Sequence, residues 1–372
     1  MSRAVYLLVF SLFTAALSDA AAQSAGDWRP LFNGKDLSGW DILTYPHKQE
    51  ETYDVEDFGI GKDPLNVFSV NEQGELAITG QVYGAVTTVD EHRDYHLRCQ
   101  VRWGQKKWPP RTKRLRDSGL LYHGRLPHQV FWKVWMGSLE YQVQETDLGD
   151  YFRITIPSIE TRPGPGRRYV GDAPRKKLNA HLKASFEPDA PHGEWNTCEI
   201  ITRGNDAVHI ANGFVVFRLW NAVSTREGPH DPKPAMDEGL IQIQSEGAEV
   251  YYRGIEIRSL DTQAISGQVP AFKAEASHEQ INGTGPENGV TITYTHQGDT
   301  PADIVAIELY GQDCRDYFAE KPQYPLVLAP GESTSFKVYL KDDAKKPSSQ
   351  IKVRVETLAG PAEQSVEIQA SK

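Results

Sequence analysis

The sequence is poor in cysteine and in positive charge. Its three cysteines, Cys99, Cys198 and Cys314, cannot form a disulfide framework in a chain of 372 residues. Cys99 alternates with Leu97 and Val101 on a predicted core face, which favours buried thiols over the alternative of a Cys99–Cys198 bridge. Asp and Glu number 50 against 40 Lys and Arg, so the formal net charge is -10. This balance argues against general nucleic-acid binding.

Motifs with diagnostic metal or phosphate spacing are also missing. The sequence contains no His-Glu-x-x-His, no Cys-x-x-Cys and no glycine-rich phosphate loop. The acidic positions Glu145, Asp147 and Asp150 do not match an EF-hand loop. The spacing of residues therefore identifies no cofactor, which stays unknown at this point.

Helical periodicity is scarce too. Short alternating runs separated by Gly, Pro, Asn and Asp dominate the chain, and they predict an all-β sandwich rather than βαβ units. A small, polar stretch at 261–276 predicts a linker between a first domain at 27–260 and a second at 277–372. In the second domain, alternating strands with turn signals predict a smaller immunoglobulin-like β-sandwich.

The N-terminus has the pattern of a signal peptide at 1–22. Arg3 precedes an apolar run from Ala4 to Leu17, and the small residues Ala20 to Ala22 predict cleavage before Gln23. The apolar run is too short for a membrane span. We therefore expect a periplasmic or secreted protein without a membrane span.

The stretch from Ser138 to Glu145 predicts a strand with two unlike faces. One face is apolar, and the other is a row of carboxylate and amide groups formed by Glu140, Gln142 and Gln144. Such a row can exchange hydrogen bonds with sugar hydroxyls, although an ordinary solvated sheet face is the alternative. The stretch 239–247 repeats the pattern, with Gln242, Gln244 and Glu246 on one face.

Two segments lack regular periodicity. The basic stretch 102–116 contains Pro109-Pro110, which prevents a regular helix, so we interpret it as a solvated loop or as a rim over the polar sheet face. Residues 160–193 are rich in Pro, Gly, Arg and Lys and form a long insertion, which is either a functional lid or a mobile loop.

Six stretches, in this order, resemble the bacterial 3-keto-disaccharide hydrolase family. They are LFNGKDLSGW at 31–40, DSGLLYH at 117–123, SLEYQVQETDLGDYF at 138–152, GEWNTCEI at 193–200, NG at 212–213 and GLIQIQSEGAEVYYRGIEI at 239–257. The resemblance implies a concanavalin A-like jelly-roll β-sandwich over the first domain. The chain departs from the family pattern at Asp117, where an Asn is usual, at Trp135 to Ser138, and in the 160–193 insertion.

The resemblance also implies a substrate, namely a glycoside already oxidised at C3. A general base would remove the acidified C2 proton, the C1 substituent would leave, and water would add back. We place Glu140 or His123 as the base. The expected substrate-binding residues are Gln142, Gln144, Gln244, Glu246, Trp135 and Lys133. Asp147 and Asp150 are the candidates to hold a divalent metal ion such as calcium.

Two other functions compete with this one. A conventional retaining glycosidase needs two carboxylates close together, whereas the companions of Glu140 on its own strand are amides, which argues against it. A non-catalytic carbohydrate-binding domain would show exposed aromatic platforms, for which the candidates are Trp103, Trp108, Trp132 and Trp135. All three interpretations have a small-molecule or oligosaccharide partner, and all leave the oligomeric state open.

Overall fold

The computed structural model describes residues 26–46, 57–155, 157–225, 234–261, 269–311, 314–320, 326–342, 344 and 350–370. The predicted signal peptide at 1–22 lies outside these ranges, as does the predicted cleavage site. Within them, no helix combines the length and the apolar character needed to cross a membrane.

The first domain consists of strands joined by short turns and loops. The strands are β1 (Arg29–Pro30), β2 (Trp40–Tyr45), β3 (Gly59–Ile60), β4 (Phe68–Val70), β5 (Leu76–Ile78), β6 (Tyr83–Thr88), β7 (His92–Arg93), β8 (Tyr95–Lys107), β9 (Asp117–Arg125), β10 (Gly137–Gln144), β11 (Tyr151–Ile154), β12 (Pro157–Thr161), β13 (Lys176–Leu178), β14 (Asn196–Arg203), β15 (Asp206–Ala211), β16 (Phe214–Ser224), β17 (Glu238–Ser245) and β18 (Ala248–Ser259).

These strands form two sheets that face each other. The front sheet has the order β11-β10-β9-β17-β6-β2-β3, and the back sheet has the order β16-β15-β14-β8-β18-β5-β4. Tyr141 and Ile243 of the front sheet share one buried cluster with Val101 and Ile200 of the back sheet. This packing confirms the predicted all-β class and the jelly-roll β-sandwich. It also directs the polar residues of β10 to the outer face of the front sheet, opposite the core.

The structure also shows whether the cysteines are thiols or form a disulfide. Cys99 on β8 lies directly opposite Cys198 on β14, and both are buried as free thiols. Cys314 is also a buried thiol. The preference for buried thiols is therefore confirmed.

The 160–193 insertion is packed against the sandwich. Its strands β12 and β13 pair with each other, and β12 also pairs with β16. Leu182 exchanges backbone hydrogen bonds with Tyr151 of β11, and Tyr169 and Phe186 are buried in the core. The insertion is thus a wall beside the edge of the front sheet, which does not fit the interpretation as a mobile loop.

The C-terminal unit contains the remaining strands. They are β19 (Phe272–Ala276), β20 (Gln280–Ile281), β21 (Val290–His296), β22 (Ala302–Tyr310), β23 (Tyr317–Ala319), β24 (Leu326–Leu328), β25 (Ser333–Leu340), β26 (Ile351–Thr357), β27 (Gly360–Pro361) and β28 (Val366–Ala370). One sheet has the order β19-β21-β25-β23, and the other contains β20-β28-β26-β22. β19 falls inside the predicted linker, so the paired structure begins earlier than expected. The immunoglobulin-like topology stays a prediction.

The two units are joined by a strand contact. β22 continues the back sheet in parallel with β16, where Phe214 is paired with Ile307. The Ile307 N–H donates to the Gly213 carbonyl over 3.0 Å. The C-terminal unit therefore docks at the edge of the sandwich beside the insertion.

Candidate functional site

The register of three front-sheet strands gathers polar side chains that are far apart in sequence. β10 lies beside β9, and Gln142 is paired with Gly119 while Gln144 is paired with Asp117. β17 lies on the other side of β9, and its Gln244 approaches Gly119. Side chains of β10 and β17 therefore lie close together over β9, and the predicted polar row of β10 is extended by polar residues of β9 and β17.

Gly119 has no side chain, so side-chain oxygens of the neighbouring strands lie close over it at the centre of this arrangement, and we refer to this place as the notch. A Cβ atom at this position would overlap with the side-chain oxygens of Glu140 and Gln244. The Gln244 Oε1 is buried and has no hydrogen-bond donor among the residues that the structure describes. An unpaired buried acceptor is costly unless a ligand supplies the donor. The Gln244 oxygen beside Glu140 is therefore an acceptor that a sugar hydroxyl could satisfy.

Glu140 occupies the edge of the notch and is only 2% exposed. Burial raises its pKa well above the ordinary value, and the charges of Glu246 and Asp117 raise it further, although Arg111 acts in the opposite direction. In the amide orientation that satisfies Gln142, its NH2 group donates to the Glu140 Oε1 over 3.0 Å. Glu140 is consequently a carboxyl group that keeps its proton to a higher pH than an ordinary glutamate.

Arg111 bridges the other two carboxyl groups of the site. Its guanidinium bonds to both Asp117 and Glu246, and the Gln144 Nε2 donates to Asp117 over 2.8 Å. Burial, followed by the charge of Glu246, raises the pKa of Asp117 well above its ordinary value. The Arg111 Nε is buried without a hydrogen-bond acceptor from the protein. This group therefore places a cation and two carboxyl groups, both with a raised pKa, beside the notch.

The position of Arg111 distinguishes between the two interpretations of the basic stretch 102–116. The loop follows β8, and the Trp108 N–H donates to the Gly247 carbonyl over 2.8 Å at the turn after β17. Residues Thr112 to Leu115 are exposed, whereas Arg111 turns inward. The loop is thus a rim over the polar sheet face, the functional alternative that the sequence left open.

His123 lies apart from this cluster. Its Nδ1 bonds to the Met236 carbonyl over 2.6 Å, and its ring packs edge-on against Tyr95 and Tyr122 at centroid distances of 5.7 and 5.5 Å. Burial lowers the pKa of His123 to about 4. The contacts within the described residues do not bring His123 to Glu140. A neutral, enclosed imidazole with this surrounding fits a structural role better than that of the base.

The predicted aromatic residues differ in exposure: some are buried beneath the sheet face, and one is open to solvent. Trp135 is only 1% exposed, and its Nε1 donates to the Gly84 carbonyl over 3.2 Å. Tyr83 stacks on Trp135 and on Trp132, with centroid distances of 5.4 and 5.7 Å. Trp132 is 52% exposed. Trp135 is therefore a buried residue that packs under the aromatic cluster, and Trp132 is the surface on which a sugar can stack. Of the other two candidates, Trp103 is buried in the core and Trp108 is half-buried.

Lys133 lies on the exposed side of this aromatic cluster. Its Nζ donates to the Tyr45 hydroxyl over 3.0 Å. Tyr45 belongs to β2, where it is paired with Tyr83 of β6. Lys133 is thus at the rim of the same sheet face as the notch, within reach of a ligand that extends beyond it.

Asp147 and Asp150 tie the insertion to the turn between β10 and β11. Asp147 forms an ion pair with Lys183 over 2.9 Å, and Asp150 accepts the Ala184 N–H over 2.6 Å. Burial raises the pKa of Asp150 to about 7. Calcium takes about six to eight oxygen ligands, and no group of three or more potential ligands occurs within the described ranges. The two aspartates therefore do not fit the predicted calcium site.

The carboxylates also correct one argument made from the sequence. The companions of Glu140 along β10 are amides, but Asp117 and Glu246 reach it from β9 and from the end of β17. Strand pairing supplies the second carboxylate that was sought on a single strand. The absence of a second carboxyl group, on which the argument against a conventional glycosidase rested, therefore does not hold in the folded site. Of the groups now assembled, Arg111 and Gly119 were missed as site residues.

Comparison with solved structures finds sandwiches of low similarity. A protein of Parabacteroides distasonis assigned as a glycosyl hydrolase is 18% identical, covers 63% of this chain and 94% of its own, and has a TM-score of 0.39. A β-glucanase of Bacillus licheniformis is 10% identical, with coverages of 63% and 98% and a TM-score of 0.31. The carbohydrate-binding module CBM66 of Bacillus subtilis is 9% identical, with coverages of 52% and 91% and a TM-score of 0.32. At these scores the similarity assigns no reaction to this chain.

The family comparison is more specific. Among curated proteins no sequence matches the chain. The model of the 3-keto-alpha-glucoside-1,2-lyase-like domain matches residues 27–258, which include every group around the notch and exclude the C-terminal unit. This range agrees with the predicted first domain and with the six stretches that carry the resemblance. The chain belongs to the family of 3-keto-alpha-glucoside-1,2-lyase-like domains, which the sequence resemblance had named 3-keto-disaccharide hydrolases.

Proposed function

We propose that this protein cleaves the glycosidic bond of 3-keto-glycosides by elimination and hydration. The observation that carries the proposal is the notch at Gly119, where Glu140 and the unpaired Gln244 oxygen converge beside the Arg111-bridged carboxyl pair. Such a site offers a base, an acceptor for a sugar hydroxyl, a cation and a proton donor. The N-terminal signal peptide expected from the sequence would place this activity in the periplasm or outside the cell.

The groups can be assigned to the steps of the reaction. The Glu140 carboxylate takes the C2 proton, which the neighbouring C3 ketone makes acidic, and the developing enolate lies near Arg111. The C1–O bond then breaks, and the Asp117–Glu246 pair donates its proton to the leaving oxygen. Water adds to C1 of the resulting enone, and Glu140 returns a proton to C2. The net change is hydrolysis, and the pair regains its proton from the added water.

The substitution Glu140→Gln tests this assignment. It keeps the size of the side chain but removes the base, so we expect turnover of a 3-keto-glucoside to fall by roughly 10²–10⁴-fold. The matched control is Glu199→Gln, which neutralises a buried glutamate on β14 of the back sheet that is bonded to His96. This control should keep wild-type turnover. A folded Glu140→Gln variant with undiminished turnover would refute the role of Glu140.

A conventional glycosidase is the second candidate, and the two carboxyl groups beside Glu140, those of Asp117 and Glu246, favour it. The unoxidised parent glucoside separates the two functions in the same assay. Release of product from the keto compound alone supports elimination, because only the ketone acidifies C2. Release from the parent supports the glycosidase. Binding to the Trp132 platform without any product supports a carbohydrate-binding domain.

A further inference from the structure

A second cavity lies where the C-terminal unit meets the first domain. It has a volume of about 280 Å³ and is bordered by β15 and β16, by the insertion, and by the turn between β26 and β27. β15 and β16 belong to the back sheet, whereas the Gly119 notch lies on the outer face of the front sheet. The cavity is therefore separate from the proposed catalytic site, and it exists only because the C-terminal unit supplies one wall.

The cavity is lined by five arginines, and we refer to it as the arginine cavity. They are Arg162, Arg175, Arg203, Arg218 and Arg354. This concentration of positive charge contrasts with the net charge of -10 of the whole chain. The question is how much of it the surrounding carboxylates neutralise.

The charges of two of these arginines, Arg218 and Arg354, are neutralised by glutamates of the C-terminal unit. Arg218 is buried and bonds to Glu308 over 3.2 Å and to Glu356 over 3.1 Å, and the Arg354 Nε donates to Glu308 over 2.5 Å. Asp206 is the carboxylate in the cavity wall itself. Glu160 on β12 is paired with Trp220 and acts on Asp206, which adds a fourth carboxylate. Four carboxylates thus face five guanidinium groups, which leaves an excess of one positive charge.

The other three arginines supply this excess. Arg203 donates to the main-chain carbonyls of Leu358 and Thr357 over 2.6 and 3.1 Å, which hold its position but do not cancel its charge, and its one carboxylate contact is Glu356 at 3.5 Å. Arg162 bonds to the Gly171 carbonyl, and its Nε is buried without an acceptor.

Arg175 is the most available of the five. Its guanidinium lies over the Trp220 ring at 3.8 Å from the centroid. Within the described part of the chain it forms no ion pair, and its side chain is exposed at the mouth of the cavity. Stacking on the ring orients the planar group and leaves its N–H donors at the edge, where a ligand can reach them.

We propose that the arginine cavity binds the oxyanion group, a carboxylate or a sulfate ester, of an acidic saccharide. Guanidinium groups bind such oxyanions through paired, charge-assisted hydrogen bonds. The volume of about 280 Å³ exceeds the roughly 30 Å³ share of a water molecule and is close to the lower limit of small-molecule pockets, about 300 Å³. The space therefore fits a monosaccharide unit with its charged group better than a bare ion.

The test is calorimetric titration of the full chain with D-glucuronate, glucose 6-sulfate, D-glucose and inorganic phosphate. We expect glucuronate or glucose 6-sulfate to bind at least 10-fold more tightly than glucose or phosphate, and to weaken as salt concentration rises. Phosphate binding as tight as that of either sugar would overturn the saccharide assignment. Absence of binding by every anion at millimolar concentration would overturn the site.

Variants show whether the arginine cavity is the place of binding. The double variant Arg162→Gln with Arg175→Gln should raise the Kd of the acidic sugar at least 10-fold. The matched control is Arg253→Gln, because Arg253 is an exposed arginine stacked on Trp195 at 4.0 Å, outside the cavity. It should leave the Kd unchanged, and Glu140→Gln should do the same. An unchanged Kd in the double variant, with an unchanged Tm, would contradict the proposal.

Discussion

Burial, followed by the charges of Glu246 and Asp117, raises the pKa of Glu140, and the Arg111 guanidinium lowers it. Because Glu140 must be ionised to act as the base, the rate should rise with pH as its proton is lost. In Arg111→Gln the lowering charge is absent, so the pKa of Glu140 rises and the rising limb of the pH–rate profile moves to higher pH. The measurement is kcat against pH on a 3-keto-glucoside.

Arg111 is also placed near the developing enolate, so the variant should be slower at every pH. The diagnostic quantity is therefore the position of the rising limb and not the maximal rate. Gln144→Leu provides the comparison, because it removes an amide that contacts Asp117 but changes no charge near Glu140. A limb that stays in place in Arg111→Gln would contradict the electrostatic coupling.

At the scale of elements, the sequence was most informative where structure depends on neighbours along the chain. The two faces of β10 were predicted correctly, because alternation is a local property of a strand. The meeting of Glu140 with Asp117 and Glu246 was not predicted, since it depends on the register between strands far apart in sequence. Gly119 gave no signal either, because a missing side chain matters only through the groups that close around it.

The link between the insertion and the β10–β11 turn should be sensitive to pH. Burial raises the pKa of Asp150 from 3.8 to about 7, so the folded state binds a proton that the unfolded state releases near pH 4. The associated stability is present below pH 4 and is lost as pH rises towards 7. Asp150→Asn keeps the acceptor for the Ala184 N–H and removes the titration. We expect its Tm to decline less than that of the wild type between pH 4 and 7.5.

The control for this measurement is Asp57→Asn. Asp57 forms an ion pair with Lys62 over 3.0 Å in which both side chains are exposed, and it is not among the groups that act on Asp150, so its loss should cost little and should not flatten the pH dependence. Parallel Tm curves for the wild type and Asp150→Asn would show that Asp150 is not the titrating group.

At the scale of the whole molecule, the sequence separated the two units but gave no information on how they dock. Charge and hydropathy show that 277–372 forms strands of its own, whereas the pairing of β22 with β16 depends on backbone atoms, which any residue provides. The buried partners of Arg218 are equally invisible in the sequence. Glu308 and Glu356 come from β22 and β26, and each is typical of a solvated strand position until the units are brought together.

The docking should depend on Arg218. Burial alone would raise the pKa of Glu308, but Arg218 and Arg354 lower it to about 2. Arg218→Met keeps the volume of the side chain and leaves Glu308 with one cation, which should cost about 3–5 kcal/mol of folding free energy at pH 7. This loss of folding free energy should become smaller as pH falls. In the variant the pKa of Glu308 is higher than in the wild type, so Glu308 is protonated at a higher pH, and a protonated carboxyl group needs no counter-ion. A purely steric loss would be equal at all pH values. Denaturant unfolding at pH 5 and pH 8 measures the difference, and limited proteolysis between the units should be faster in the variant at pH 8 than at pH 5.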